Sequence, residues 1–402
     1  MVAPDPVYQS VEHLLVPSVK LKTLLVSAYL EHRLSPRKVR VIAVVLRNET
    51  SPYRCRLRCL GKPDAFTDGY VSVHRDHFDY PYGTSDIMCS LPPDCQLPSH
   101  VSVTSTRHKE LCDQRVLEVK NQEPKQDSFK SNFTVCWSTM FDFNNVLQLV
   151  QSLEMLQVLG ANKVAIYKTN CSADTQRVLN YYTQRGLVEV IPWNMSQYLI
   201  LSRGWQVKKD PGDLHYFGQL AALNDCIYRY MYQSRYLAMH DVDELILPQA
   251  VSSWPELLPQ LTSKYKFKNC FTFENNVFPN TVSLTPPTSP GSSCWSKVTG
   301  VNILAHLHQE PYVPNWDCKV IVDPRSIHVI SVHIVLDPYN ACSWVDRNEA
   351  RLYHTRGPKQ PHLTQGQLVY DSRMVSYSEK LKVTVDAVLR ETGLLPQDSA
   401  PC

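Results

Sequence analysis

From Asn144 to Leu159 the apolar residues Val146, Leu149, Val150, Leu153, Leu156 and Leu159 recur at helical spacing, and Gly160 supplies a stop. That helix follows a strand-like run, Phe133-Thr-Val-Cys-Trp137, and precedes another, Lys163-Val-Ala-Ile-Tyr167. The rhythm then repeats. A helix is predicted from Ala173 to Arg185, stopped by Gly186, and a strand from Leu187 to Ile191, closed by Pro192. After an irregular stretch come a helix from His215 to Met231 and the strand Tyr236-Leu-Ala-Met-His240. Strand and helix alternating at this spacing imply an α/β fold, a mostly parallel sheet with crossover helices on both faces. The earlier chain reads differently. Val39 to Leu46 is a β-branched run, Arg54 to Cys59 alternates polar and apolar, and Val71-Ser-Val73 and Val101-Ser-Val103 are shorter runs of the same kind. Prolines 81, 92, 93 and 98 punctuate them, and no helical period lies between Val39 and Arg107. The expected organisation is a β-rich, sandwich-like domain over 1–120, a polar linker over 121–131, the α/β domain over 132–370 and a helical tail over 371–402.

Composition narrows the class. The 402 residues are 43% hydrophobic and 20% charged, the proportions of a folded chain. A net charge of only +3 removes the electrostatic case for nucleic acid or an anionic membrane surface. The longest apolar stretches fall far short of the ~20 residues of a membrane span. Met1-Val-Ala-Pro-Asp-Pro lacks the regions of a signal peptide. Two readings follow: a cytosolic protein, or the lumenal part of a chain anchored elsewhere. The 13 cysteines form no C-x-x-C pair, and sequons stand at Asn48, Asn132, Asn170 and Asn194. Both features favour an oxidising, glycosylating compartment, and Cys55, Cys59, Cys89, Cys95 and Cys112 are expected to be mostly disulfide-bonded.

Chemistry concentrates after the fourth α/β strand, at Asp241-Val-Asp243-Glu244. Alternation along an extended strand would turn Asp241 and Asp243 the same way, at the carboxyl edge where open α/β sheets bind ligands. Two carboxylates there are costly unless a cation neutralises them, and a hard divalent ion, Mn2+ or Mg2+, suits oxygen ligands.

Several ordered segments then agree. Leu159-Gly-Ala-Asn-Lys-Val-Ala-Ile-Tyr167, the run from Val178 to Trp193, His215-Tyr-Phe-Gly-Gln219 with its continuation to Arg229, and Tyr236 to Glu244 resemble glycosyltransferase family 92. Lys319-Val-Ile-Val-Asp-Pro324 and His354-Thr-Arg356 resemble its Lys-x-Ile-Val-x-Pro and His-Tyr-Arg elements, with Thr355 where the family usually has Tyr. The resemblance covers about 130–360. It implies a GT-A-type nucleotide-sugar-binding sheet and an inverting, Mn2+-dependent β1,4-galactosyltransferase. The implied donor is UDP-galactose, and the acceptor is a glycoprotein glycan ending in galactose or, second, fucose. The implied location is the Golgi lumen, as the ectodomain of a type II membrane protein whose anchor is absent from this chain, and a homodimer is among the expected assemblies.

Roles follow from that reaction. Asp243 and Asp241 would hold the metal, Asp241 alternatively the donor ribose, with a late histidine, His354 or His333, as further ligand. Lys319 would meet the diphosphate, His215 and Gln219 would bind donor from one helix face, and Tyr167 would stack on uracil. The carboxylate taking the acceptor proton is left among Asp317, Glu310 and Glu274. Trp316, Tyr312 and Trp295 are the acceptor-stacking candidates. The alternatives from other classes are an inactive, lectin-like glycan binder, which would have no use for the paired aspartates, and a nucleotidyl transferase or nuclease, which the charge balance disfavours.

Overall fold

The computed structural model describes residues 16–17, 23–49, 52–105, 116–124, 128–266, 269–282, 295–311, 317–338 and 342–397. The chain divides into two compact units, one of residues 1–128 and 192–232, the other of 129–191 and 233–402. The described α-helices are α1 (Val146–Leu159), α2 (Ala173–Gln184), α3 (Gln219–Tyr230), α4 (Trp254–Lys264) and α5 (Ser378–Glu391). Helix α1 ends at Gly160 with φ 98°, where a Cβ would lie 2.7 Å from Pro255, so both conformation and space demand glycine. Helix α2 opens on Ser172, whose hydroxyl accepts the Thr175 N–H. Helix α3 starts later than its apolar period suggests. Tyr216, Phe217 and Gly218 have φ of 35°, 52° and 74°, a left-handed entry that no helix can include. None of these helices is long and apolar enough to cross a membrane.

The first unit carries β1 (Val16–Pro17), β2 (Thr23–Glu31), β3 (Lys38–Leu46), β4 (Tyr53–Arg58), β5 (Ala65–Val73), β6 (Tyr82–Ser90), β7 (His100–Ser105) and β8 (Leu117–Lys120). They pair in the order β1-β2-β3-β6-β5-β4-β7-β8. Strand β2 also pairs with β8, in parallel at Ala28–Val119 and Tyr29–Lys120. The sandwich expected from the sequence is therefore a closed ring of strands, filled by residues such as Val39, Val41, Leu57, Ile87 and Val103. Disulfides join Cys55 to Cys89 and Cys59 to Cys95; Cys112 lies outside the described residues. Helix α3 belongs to this unit, held by the Tyr29 hydroxyl donating to Asp225 Oδ1 at 2.6 Å. Beneath it lies a buried charge cluster: Arg33 donates to both Glu31 oxygens, Arg40 reaches Glu31 and Asp86, and His74 Nε2 is 3.2 Å from Asp86 Oδ2.

The second unit is built on β9 (Ser131–Met140), β10 (Lys163–Lys168), β11 (Val188–Pro192), β12 (Ser234–Met239), β13 (Glu244–Pro248), β14 (Cys270–Phe273), β15 (Asn275–Pro279), β16 (His308–Gln309), β17 (Lys319–Val322), β18 (Val329–Ile330), β19 (Val335–Asp337), β20 (Ser343–Trp344) and β21 (Ala350–Arg356). The main sheet runs β11-β10-β9-β12-β17-β14-β20, and a smaller one β13-β21-β15. Strands β10 and β12 flank β9 in parallel, as the strand–helix alternation predicts. Beyond β12 the sheet changes character, because β17 is antiparallel to both β12 and β14. Cys270, at the start of β14, is disulfide-bonded to Cys342.

Helix α1 is buried nearly all round, not along one stripe: Gln148, Gln151, Ser152 and Glu154 are enclosed with the leucines. Enclosed polar groups need partners, and each has one. Gln151 donates to Asn302, and Glu154 accepts from the Tyr182 hydroxyl. The partners of Gln148 and Ser152 lie in the candidate site.

Candidate active site

Strand β12 ends at Met239, and the aspartates sit in the turn that leads to β13, with the Glu244 N–H donating to the Asp241 carbonyl at 3.2 Å. Their placement comes from that turn and its partners, not from strand alternation. Asp241 Oδ1 accepts from the Ser138 hydroxyl at 3.0 Å and Oδ2 from Lys319 Nζ at 2.7 Å. Lys319 also stands 3.3 Å from Glu244 Oε2. Asp243 Oδ2 lies 3.3 Å from His354 Nε2. The turn is fastened on two sides. Helix α1 sends the Ser152 hydroxyl to the Val242 carbonyl at 2.6 Å and, one helical turn away, the Gln148 amide to the Thr355 carbonyl at 3.1 Å. Strand β21 adds the Thr355 N–H to the Asp243 carbonyl at 2.9 Å. One helix thus holds both backbone segments that carry the charged groups.

Charge follows from these contacts. Burial by itself would raise the Asp241 carboxyl, but the Lys319 ammonium and the Ser138 hydroxyl overcome it and bring the pKa to about 2. Burial would lower the Lys319 ammonium, and Asp241 and Glu244 raise it instead. Burial outweighs Lys319 and His354 at Glu244, which is raised. Burial likewise disfavours charge on His354, yet Glu244 and Asp243 hold it above the usual histidine value. Neighbouring His240 goes the other way: enclosed, it is pushed down to about 4.

A divalent ion can be tested against this geometry. Two ligand atoms each ~2.1 Å from one octahedral ion stand roughly 3 Å apart, close to the Asp243–His354 separation of 3.3 Å. The Asp241 and Asp243 side chains are 35% and 31% exposed, so the acids open to solvent on one side. Among the described residues no group of three or more His, Cys, Asp or Glu could by itself hold a metal. The protein therefore offers a partial set, the kind that Mg2+- or Mn2+-dependent phosphate chemistry completes with substrate oxygens and water. The residues fit such an ion.

Sequence-selected residues distribute unevenly around this centre. Asp241, Asp243, His354 and Lys319 come together. Lys319, however, is 3% exposed and committed to two carboxylates, so it is an internal counter-ion and not a phosphate ligand. His333 lies between β18 and β19, its Nδ1 3.0 Å from the Cys318 carbonyl and its Nε2 3.9 Å from Asp317. Asp317 is half-exposed, and Arg356, equally open, reaches to 3.8 Å from it. The other two acids are engaged elsewhere. Both Glu310 oxygens accept from Gln360, and Glu274 is buried against Arg347 and Asn276. Tyr167 is fully enclosed and Trp295 lies in the core cluster, so neither ring offers a face to a ligand. Tyr312 and Trp316 lie outside the described residues. His215 and Gln219 belong to the first unit and are 1% exposed. His215 sits among Phe78, Tyr80 and Trp205, and burial lowers it to about 3. The two do not share a helix face, since α3 begins at Gln219. All four sequon asparagines, Asn48, Asn132, Asn170 and Asn194, are exposed.

Three residues escaped the sequence reading: Glu244, Ser138 and Arg356. Glu244 and Arg356 stood inside quoted motifs, two or fewer positions from selected residues, but a carboxylate beside D-x-D looks like part of a solvated turn. Ser138 carries no signal in sequence, because only strand pairing brings β9 to the end of β12.

The model of glycosyltransferase family 92 matches residues 131–392, which include every member of this cluster. The chain belongs to glycosyltransferase family 92. Among curated proteins it is similar to a family 92 protein of Caenorhabditis elegans, 28% identical over 156 residues, or 39% of this chain and 29% of that one. It is also similar to a galactan β-1,4-galactosyltransferase of Arabidopsis thaliana, 24% identical over 186 residues, or 45% of this chain and 34% of the relative. The matched segments thus span about a third of those relatives. Among solved structures, glucosyl-3-phosphoglycerate synthase of Mycobacterium tuberculosis, in complex with Mn2+, UDP and glucosyl-3-phosphoglycerate, aligns over 67% of this chain and 82% of that one. At 9% identity and a TM-score of 0.27, that likeness is too slight to transfer fold or reaction.

Proposed function

We propose that this family 92 chain is an inverting glycosyltransferase that moves galactose from UDP-galactose, in β1,4 linkage, onto terminal galactose of glycoprotein glycans, with fucose the second acceptor. The observation that carries the reading is the pair of partly exposed Asp243 and largely buried His354, 3.3 Å apart beside a turn that α1 and β21 fasten. The printed names of the Arabidopsis relatives support the β1,4-galactosyl part.

Asp243 and His354 would hold Mn2+, with Mg2+ the alternative; when bound, the ion offsets charge on the departing diphosphate. Asp241, clamped by Ser138 and Lys319 and partly exposed, would meet the metal or a donor hydroxyl. Arg356, half-exposed and two residues along β21 from His354, would take the phosphate role in place of the enclosed Lys319. Asp317 is the acid suited to receive the acceptor proton, because Glu310 and Glu274 are tied into buried contacts. Tyr312 and Trp316, which lie outside the described residues, would stack on the acceptor. A Golgi lumenal setting agrees with the disulfides and the exposed sequons.

A donor-by-acceptor array reading UDP release, with Mn2+ and with a chelator, tests the proposal. Metal-dependent release from UDP-galactose on galactose-terminated glycans is expected. Glycan binding without UDP release from any sugar nucleotide would leave the lectin-like alternative standing. Preference for another donor would discard the galactose assignment alone.

A further inference from the structure

Glu244 is an unusual place for a carboxylate. It is 2% exposed, so it can neither be solvated nor reach a ligand from the open side. An enclosed acid costs several kcal/mol unless it is paired and hydrogen-bonded, and here one carboxylate serves three groups. Oε2 accepts the Asp241 N–H at 2.8 Å and stands 3.3 Å from Lys319 Nζ, while Oε1 lies 3.4 Å from His354 Nδ1. His354 Nδ1 is enclosed and makes no hydrogen bond among the described residues, and the Glu244 carboxylate is the acid that stands beside it. The arrangement is built by strand pairing: β13 and β21 run antiparallel with Glu244 directly opposite His354, so the two side chains share a face. An imidazole with a carboxylate at Nδ1 keeps its proton there and leaves Nε2 as the atom with a lone pair. Nε2 is the atom that faces Asp243.

We propose that Glu244 is the positioning residue of this site: from behind, it fixes the direction and tautomer of His354 and anchors the Asp241 turn, so that Nε2 is presented beside Asp243. The proposal rests on reading Asp243 and His354 as a ligand pair. Glu244 does not touch the ion or the donor. It acts through His354 on one oxygen and through Asp241 and Lys319 on the other.

The test separates that role from a simple loss of negative charge. Mn2+ accepts imidazole nitrogen readily, whereas Mg2+ prefers oxygen. Losing the orientation of His354 therefore harms Mn2+ binding more than Mg2+ binding. Isothermal titration of the whole chain with Mn2+ or Mg2+, alone and with UDP, is the measurement, on wild type, Glu244→Gln, His354→Ala and the double variant. Glu244→Gln should weaken Mn2+ about 10- to 100-fold, reduce the Mn2+ preference over Mg2+, and add little to His354→Ala, because both act on one ligand. Glu244→Asp, which keeps the charge but withdraws the carboxylate, should lower the same preference and guards against a Gln variant that fails to fold. Equal losses for both metals, or full additivity with His354→Ala, would overturn the proposal. Mn2+ affinity untouched by His354→Ala would instead remove the ligand pair, and with it the role of Glu244.

Discussion

Each unit of this protein encloses a cluster of opposite charges, and the two clusters differ in what their acids face. In the barrel, Glu31 and Asp86 are 1% and 3% exposed and lie against Arg33, Arg40 and His74. The cluster is closed by forked guanidinium groups, which match carboxylates and cannot lose their charge. In the mixed sheet, Glu244 and Lys319 are equally enclosed, but Asp241 and Asp243 remain about one-third open and are met from the side by a histidine. Histidine can surrender its proton to a metal where arginine cannot. Burying charge is thus compatible with either architecture or chemistry. The difference lies in the outward acids, since a histidine, His74, is present in the closed cluster as well.

The sharpest way to break this contrast is to remove one outward acid. Asp243→Ala should lower metal-dependent UDP release roughly 100-fold or more, since several kcal/mol of charge stabilisation is lost, with melting temperature close to wild type. Activity near wild type in the presence of a chelator would put the chemistry elsewhere. Asp317→Asn should cost roughly 100-fold in kcat, whereas Glu310→Gln should leave kcat nearly unchanged because Glu310 holds Gln360. The reverse ranking would reassign the base.

Lys319 tests the enclosed half of the site. Lys319→Met should destabilise by about 3 kcal/mol, leaving Asp241 and Glu244 without their cation, and urea unfolding would show it. Unchanged stability with a raised donor KM would restore Lys319 as a phosphate ligand. Arg40→Met should cost a similar ~3 kcal/mol in the barrel while kcat per folded molecule stays unchanged.

The smallest effect is a pH dependence. Burial favours protonation of Glu31 and Asp86; the Arg33 and Arg40 contacts at Glu31, and His74 and Arg40 at Asp86, prevail and lower both. Depressed folded values mean stability that is full above the ordinary carboxylate values, 4.5 and 3.8, and lost as pH falls through the folded ones. The gap in melting temperature between wild type and Arg40→Met should therefore narrow as pH falls below the ordinary carboxylate values. A gap that stays constant throughout acid unfolding would show that these acids are not what Arg40 holds.

Much of this contrast was readable in sequence, in proportion to how local its causes are. Helices α1 and α2 and strands β3, β10 and β12 follow from periodicity and from Gly160 and Gly186, whose stops act within a few residues. The D-x-D and His354 stood out through residue type and family resemblance. What was hidden depends on pairing across long separations. Barrel closure needs β2 to find β8, and the antiparallel half of the main sheet needs β17 to return beside β12. The burial of Lys319, Trp295 and Tyr167 cannot be seen in a strand lysine or an aromatic strand end, because neighbours distant in sequence supply the enclosure. The delayed start of α3 is a backbone event: its apolar period continues through Tyr216 and Phe217, whose positive φ values forbid the helix.

The interleaving of the two units bears on how the chain is made and how it can be cut. Residues 192–232 belong to the first unit, yet are synthesised after the first strands of the second. As the polypeptide emerges from the ribosome, the barrel must wait for α3 before Asp225 can meet Tyr29 and Tyr228 can meet Arg33. A fragment trimmed to the family boundary at residue 131 would keep α3 but discard the strands that cover it, exposing Asp225 and Tyr228 with no barrel to receive them. A workable expression fragment must therefore start upstream of Thr23, so that the helix is never orphaned from its strands.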